Sequence, residues 1–166
     1  MAEEELQHVE KGTVLIVDDD AINREILKHI FSPYYTIEEA ENGAEGLHRI
    51  LMAPEQLCAV LLDVVMPKMD GIQVLRRLQE AGMLQKLPVF LITAETSDIV
   101  LKEAYELGVM DVIGKPVVPY VVLRRTQSVI ELYQARRRLR RTVESQQARL
   151  LLQAKQIINL NQGMIE

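Results

Sequence analysis

Five polar side chains stand at or just beyond the ends of short apolar runs in this chain. Asp18 and Asp19 follow Val14–Val17, Asp63 follows Val60–Leu62, Thr93 follows Val89–Ile92, and Lys115 comes just after Val112–Ile113. Three carboxylates brought to one place repel each other and demand a cation. All-oxygen donors with concentrated negative charge select a hard ion, and Mg²⁺ suits them because it accepts two carboxylates and keeps several waters. Lysine supplies a compact positive charge for one phosphoryl oxygen, and the threonine hydroxyl can serve a second. A carboxylate can act as the nucleophile in phosphoryl transfer and become an aspartyl phosphate. Cation and lysine then spread the charge that develops on the transferring group.

Such a site needs elements that bring residues from five stretches of chain together. The apolar runs are β-branched and flanked by charged or turn residues, so they read as buried strands, with a weaker fifth at Tyr35–Ile37. Helical patterns lie between them. Ile22, Ile26, Leu27, Ile30 and Phe31 share one helix face, and Asp20 is placed to cap its first turn. Gly43–Met52, Ile72–Ala81 and Ser97–Leu107 follow the same period, with Gly108 as a helix stop. Alternating strands and helices with right-handed crossovers predict an α/β, doubly wound, five-stranded parallel sheet. In that class the ligand site lies beyond the carboxyl ends of the strands, so the topology itself would gather the five residues on one rim.

Four segments, VLIVDDD, VLLDVVMPKMDG, VFLITAE and DVIGKP, resemble in order and spacing the signatures of response regulator receiver domains from two-component signalling. The resemblance covers about residues 12–132 and implies a flavodoxin-like sheet of strand order 2-1-3-4-5. Position by position, it implies that Asp63 is the phosphoacceptor. Asp19 would then be a direct Mg²⁺ ligand, with Asp18 acting on the ion largely through water. The backbone carbonyl of Val65 corresponds to a further ligand, Thr93 to the switch hydroxyl and Lys115 to the phosphate-binding lysine. Met66-Pro67 and Gly71 match the loop after the phosphoacceptor. The implied donor is a histidine kinase, a phosphotransfer protein or a small molecule, and self-dephosphorylation belongs to the same chemistry. Two positions depart from the family pattern: Val112 stands where an aromatic switch residue is usual, and Val65 puts an apolar side chain beside the site.

The same residues admit a rival. Asp18-Asp19-Asp20, Thr93 and Lys115 could be motifs of a haloacid dehalogenase-like phosphatase. That reading needs an acidic pair after the lysine, but no Asp follows Asp111, and it leaves Asp63 and MPKMDG without a role. A dimerisation scaffold with an idle pocket is a third reading, against which the complete set of acids, hydroxyl and lysine argues. Other polar residues have plainer explanations. Asp20 reads as a cap, Asp70-Gly71 as turn chemistry, Cys58 as a small buried residue, and His8, His29 and His48 lack metal-ligand spacing.

After Pro119 no Pro or Gly occurs until Gly163, which predicts a helix of roughly 45 residues, about 65–70 Å long. Val129, Arg136, Val143, Leu150, Ile157 and Met164 fall at heptad a, and Leu132, Leu139, Gln146, Gln153 and Leu160 at d. That stripe predicts a coiled-coil homodimer, with the pattern leaning to two parallel strands and an intramolecular or antiparallel helix pair as the alternative. Leu151, Ile158 and Ile165 form a second stripe off the seam. The expected organisation is an acidic tail (1–11), a receiver (12–132) and a coiled-coil helix (133–166). The helix would be a linker to an output domain outside this chain. The ending INLNQGMIE resembles the approach to an HD-type cyclic-di-GMP phosphodiesterase, with a diguanylate cyclase or histidine kinase as alternative outputs.

Charge divides along the same boundary. Residues 1–116 hold 10 Lys and Arg against 21 Asp and Glu, whereas residues 117–166 hold 9 against 3. The acidic part favours a hard cation over nucleic acid. The arginines at 136–138, 140 and 141 read as a solvated coil flank, so no nucleic-acid partner is expected. A single cysteine excludes an internal disulfide. The acidic start MAEEELQHVEKG is unlike a secretory leader, and no run reaches the roughly 18 apolar residues of a membrane span. The expectation is a cytoplasmic protein with no membrane partner.

Overall fold

A computed structural model of the chain describes residues 11–165; the side chain of residue 165, and all but one residue of the acidic tail, lie outside the described set. The elements alternate throughout: β1 (Thr13–Val17), α1 (Ala21–Phe31), β2 (Thr36–Ala40), α2 (Gly43–Met52), β3 (Leu57–Leu62), α3 (Gly71–Glu80), β4 (Val89–Thr93), α4 (Asp98–Leu107), β5 (Asp111–Gly114) and α5 (Pro119–Ile165). The sheet is five-stranded in the order β2-β1-β3-β4-β5, and every strand pair is parallel. This is the architecture, strand order and long terminal helix that the sequence predicts.

Alternation of side chains across the pleat builds two cores. Leu15, Val17, Val60, Leu62 and Leu91 share one cluster with Ile50 of α2, Leu75 and Leu78 of α3 and Ala104 of α4. Val14, Ile16, Leu61, Phe90 and Ile92 share the other with Leu27, Ile30 and Phe31 of α1 and with Val122 and Ile130 of α5. Both faces of the central strands are covered, which is why β3 reads LCAVLL with no polar interruption and all six residues are buried.

Strand β2 runs further than its apolar signal at Tyr35–Ile37, through Glu38 and Glu39 to Ala40. It is an edge strand, so its carboxylates stay partly exposed. Arg49 bonds Glu38 while Arg24 and Lys28 pair with Glu39, which is how an acidic segment serves as a strand. Local chemistry fixes the helix ends, as expected for Asp20 and Gly108, and also at Asp70, expected as turn chemistry, which caps α3. The Asp20 carboxylate accepts from the Ile22 amide, Asp70 and Gln73 form a reciprocal capping box, and Gly108 closes α4 at φ 106°.

The described residues divide into two compact units, 11–130 and 131–165. The second is helical, and its apolar side chains Leu139, Val143, Leu150, Leu151, Ile157, Ile158 and Leu160 are all exposed. Within it the Arg136 guanidinium lies 5.4 Å from the centre of the Tyr133 ring. Among the described residues no helix is long and apolar enough to cross a membrane.

Candidate functional site

The five chemistry-bearing residues occupy the carboxyl rim of the sheet, on the first unit. Asp18 and Asp19 leave β1, Asp63 leaves β3, Thr93 is the last residue of β4, and Lys115 follows β5. Backbone pairing carries the strands into the site: the Asp63 amide donates to the Val17 carbonyl (2.9 Å), and the Lys115 amide to the Thr93 carbonyl (2.9 Å). The side chains at the acidic end then meet. Carboxylate oxygens of Asp18, Asp19 and Asp63 all lie within 4.8 Å of one another. The Lys115 ammonium donates to Asp18 Oδ2 (2.7 Å) and to Asp63 Oδ2 (3.0 Å).

Burial distinguishes the neighbours. Asp18 is only 2% exposed, whereas Asp19 faces solvent. Burial pushes the Asp18 carboxyl above its ordinary range, although bonds from Lys115 and from the Asp20 amide work against that shift. For Lys115, burial disfavours the ammonium, but its bonds to Asp18 and Asp63 outweigh burial and hold its pKa above the usual lysine value. Those two bonds favour the charged ammonium. Thr93 is fully buried, and its hydroxyl oxygen accepts from the Glu95 amide at 3.1 Å. Val65 projects its side chain to solvent, 62% exposed, while Val112 is buried in the core beneath α4.

The loop between β3 and α3 is held by close backbone approaches. A Cβ on Gly71 would stand 2.3 Å from the Asp63 carbonyl oxygen, and the Gly71 amide donates to the Val64 carbonyl at 2.8 Å. Only glycine lets the chain fold back so tightly on the candidate nucleophile. Lys68 takes a left-handed φ of 68° in the same loop. Two site features escaped the sequence pattern. Arg24 on α1 donates to the Asp18 carbonyl at 2.7 Å, and a Cβ on Gly43 would meet the Met69 carbonyl oxygen at 2.2 Å. A helix arginine six residues after the acid was the available signal for the first.

Chemically, this donor set fits a hard divalent cation. It offers clustered carboxylate oxygens from Asp18, Asp19 and Asp63, with the Lys115 ammonium bonded to one oxygen each of Asp18 and Asp63. Comparison with known proteins places the arrangement. The family model for the response regulator receiver domain matches residues 14–127. The transcriptional regulatory protein ResD of Bacillus subtilis is 35% identical over 118 residues, 70% of this chain and 47% of ResD. Among solved structures, the CheX–CheY–BeF3–Mg complex from Borrelia burgdorferi is 32% identical with a TM-score of 0.67, covering 71% of this chain and 88% of that one. The chemotaxis protein CheY4 of Vibrio cholerae is 28% identical with a TM-score of 0.65, covering 72% and 98%.

The chain belongs to the response regulator receiver domain family of two-component signalling. The receiver is therefore the reading that holds, not the dehalogenase-like phosphatase. The chain spans about half the length of the curated relatives it matches, 47% of ResD and 49% of SrrA from Staphylococcus aureus.

Proposed function

We propose that this chain is a phosphorylation-controlled switch in which Asp63 takes a phosphoryl group from a histidine kinase, a phosphotransfer protein or a small-molecule donor. The observation that carries the reading is the position of the Lys115 ammonium, which bridges Asp18 and Asp63 at 2.7 and 3.0 Å beside three clustered carboxylates. One Asp63 oxygen attacks phosphorus in line as the bond from phosphorus to the donor breaks, N–P for a phosphohistidine or O–P for an acyl phosphate, so that the aspartyl phosphate forms and the donor's imidazole or carboxylate leaves. Asp18, Asp19, Asp63 and the Val65 carbonyl would hold Mg²⁺, which when bound supplies positive charge to the transferring oxygens. The Lys115 ammonium, bonded at present to Asp18 and Asp63, would balance a phosphoryl oxygen. Thr93 is the hydroxyl available to another oxygen, and turning toward it would exchange its present bond from the Glu95 amide. An apolar pocket lined by Asn23, Ile26, Leu27, Ile92, Pro116 and Val117 abuts Lys115 and offers a phosphodonor protein a surface beside the nucleophile.

Downstream, the exposed apolar stripe of residues 139–164 supports a homodimeric coiled coil. Phosphorylation would reset that coil and bias an output domain, of which an HD-type cyclic-di-GMP phosphodiesterase is the one proposed. Arg136, Gln146 and Gln153 interrupt the apolar seam and lower the cost of moving between two arrangements. With no helix fit to span a bilayer among the described residues, the proposed setting is the cytoplasm.

The test is incubation of the chain with a small phosphodonor and Mg²⁺, followed by intact mass measurement. One phosphoryl group is expected, not formed when the metal is chelated before the donor is added and absent from Asp63→Asn. A full label on Asp63→Asn would overturn the assignment.

A further inference from the structure

Arg24 reaches the acidic turn with its side chain, and nothing in the phosphoryl chemistry above uses it. Its guanidinium Nη1 donates to the Asp18 carbonyl at 2.7 Å, while its backbone amide makes the opening α1 bond to the Asp20 carbonyl at 3.1 Å, as any residue at that position would. The guanidinium is in turn fixed from β2. Nε donates to Glu39 Oε1 at 3.3 Å, and Nη2 lies 3.9 Å from Glu41 Oε1, with the Arg24 side chain only 11% exposed. Lys28, one turn further along α1, reaches the other Glu39 oxygen at 3.7 Å.

Asp18 needs this support because its other polar groups are already committed. Its amide completes the sheet on the Ala40 carbonyl, Oδ1 accepts from the Asp20 amide, and Oδ2 accepts from Lys115. β1 has ended at Val17, so the nearly buried Asp18 carbonyl needs a donor from outside the turn. We infer that Arg24 is a positioning residue for the cation site. By locking the peptide that joins Asp18 to Asp19, it sets the direction in which both carboxylates point. The inference rests on the Mg²⁺ reading given above.

Two roles for Arg24 predict opposite signs. As a mere positive charge near three carboxylates it would oppose cation binding, and neutralising it would also leave Glu39 and Glu41 uncompensated, so binding would tighten. As a strut it must favour binding, and neutralising it should weaken Mg²⁺ affinity. Its charge is already matched by two glutamates, so the strut dominates. Residues that orient metal ligands from behind are worth roughly 10–100-fold in affinity, and the lower end suits a site whose carboxylates keep other supports.

The experiment is calorimetric titration of the full chain with MgCl₂ alone, alongside phosphoryl uptake from a small donor over a range of Mg²⁺ concentrations. Arg24→Gln should weaken the Mg²⁺ Kd about tenfold, and uptake should recover as Mg²⁺ is raised, so that the half-saturating concentration moves and the plateau does not. Arg24→Lys, which keeps the charge and a single donor, should recover part of the affinity. It also decides the matter if Arg24→Gln does not fold, because a Kd equal to that of the unchanged chain would overturn the inference. Unchanged or tighter binding by a folded Arg24→Gln would overturn it as well. A chain that binds no Mg²⁺ before any substitution would instead overturn the cation reading itself.

Discussion

Strand β3 and the middle of the long helix contain equally apolar stretches with opposite fates. Leu57–Leu62, LCAVLL, is wholly buried, whereas Leu150, Leu151 and Leu152 are 64%, 65% and 62% exposed. The difference lies in how many neighbours each element has. A central strand of a doubly wound sheet meets helices on both faces, so every side chain leaves water whichever way it points. Consecutive residues on a helix are about 100° apart, so three adjacent leucines cannot share one face and no single partner can cover them all. Apolar composition drives burial only where the fold or another chain supplies the second surface. The first unit provides its own, and the second unit leaves these leucines exposed.

The largest effect expected from a single core change comes from the first unit. Phe90 is fully buried in the sheet face under α1, and Phe90→Ala should cost about 3–5 kcal/mol of stability, read as a lowered urea midpoint by circular dichroism. A loss below about 1 kcal/mol would mean that the sheet does not depend on its internal packing as described. Next comes the seam. Leu139→Ala and Leu150→Ala should each remove about 2–5 kcal/mol from association and together give monomers by light scattering. The protection of β3 and β4 against hydrogen exchange should stay as it was. An unmodified chain that is monomeric at high concentration, or a double variant that stays dimeric, would break the comparison from the other side. The smallest effect is local. Asp70→Ala removes the side chain that caps α3 and should cost about 1 kcal/mol, with faster exchange at residues 71–73 and none at the long helix.

How far sequence could reach varies within the site itself. The sheet was legible because strands buried on both faces have no polar alternation and stand out as unbroken runs. Two helix boundaries were legible because Asp20 and Gly108 make a local bond and a local turn that need only nearby residues. The apolar signal stops short of the end of β2 because Glu38 and Glu39 sit in a strand in the company of Arg24, Lys28 and Arg49. Those partners sit on two different helices.

The residue types and their strand-end placement were determined by sequence alone: three acids, a threonine and a lysine can do phosphoryl chemistry wherever they meet. Tertiary structure alone decided how they meet. Lys115 touches Asp18 across 97 positions and Asp63 across 52, distances that only the order β2-β1-β3-β4-β5 brings to one rim. It also separated two identical neighbours. Asp18 is buried with its carboxylate bound by the lysine, and Asp19 is open to solvent, because the chain turns between the end of β1 and the start of α1. Arg24 shows the same limit, since a side chain that donates to a backbone carbonyl leaves no complementary residue for a pattern to find. Side-chain chemistry is written in residue identity, but the direction in which a carboxylate points belongs to the backbone that carries it.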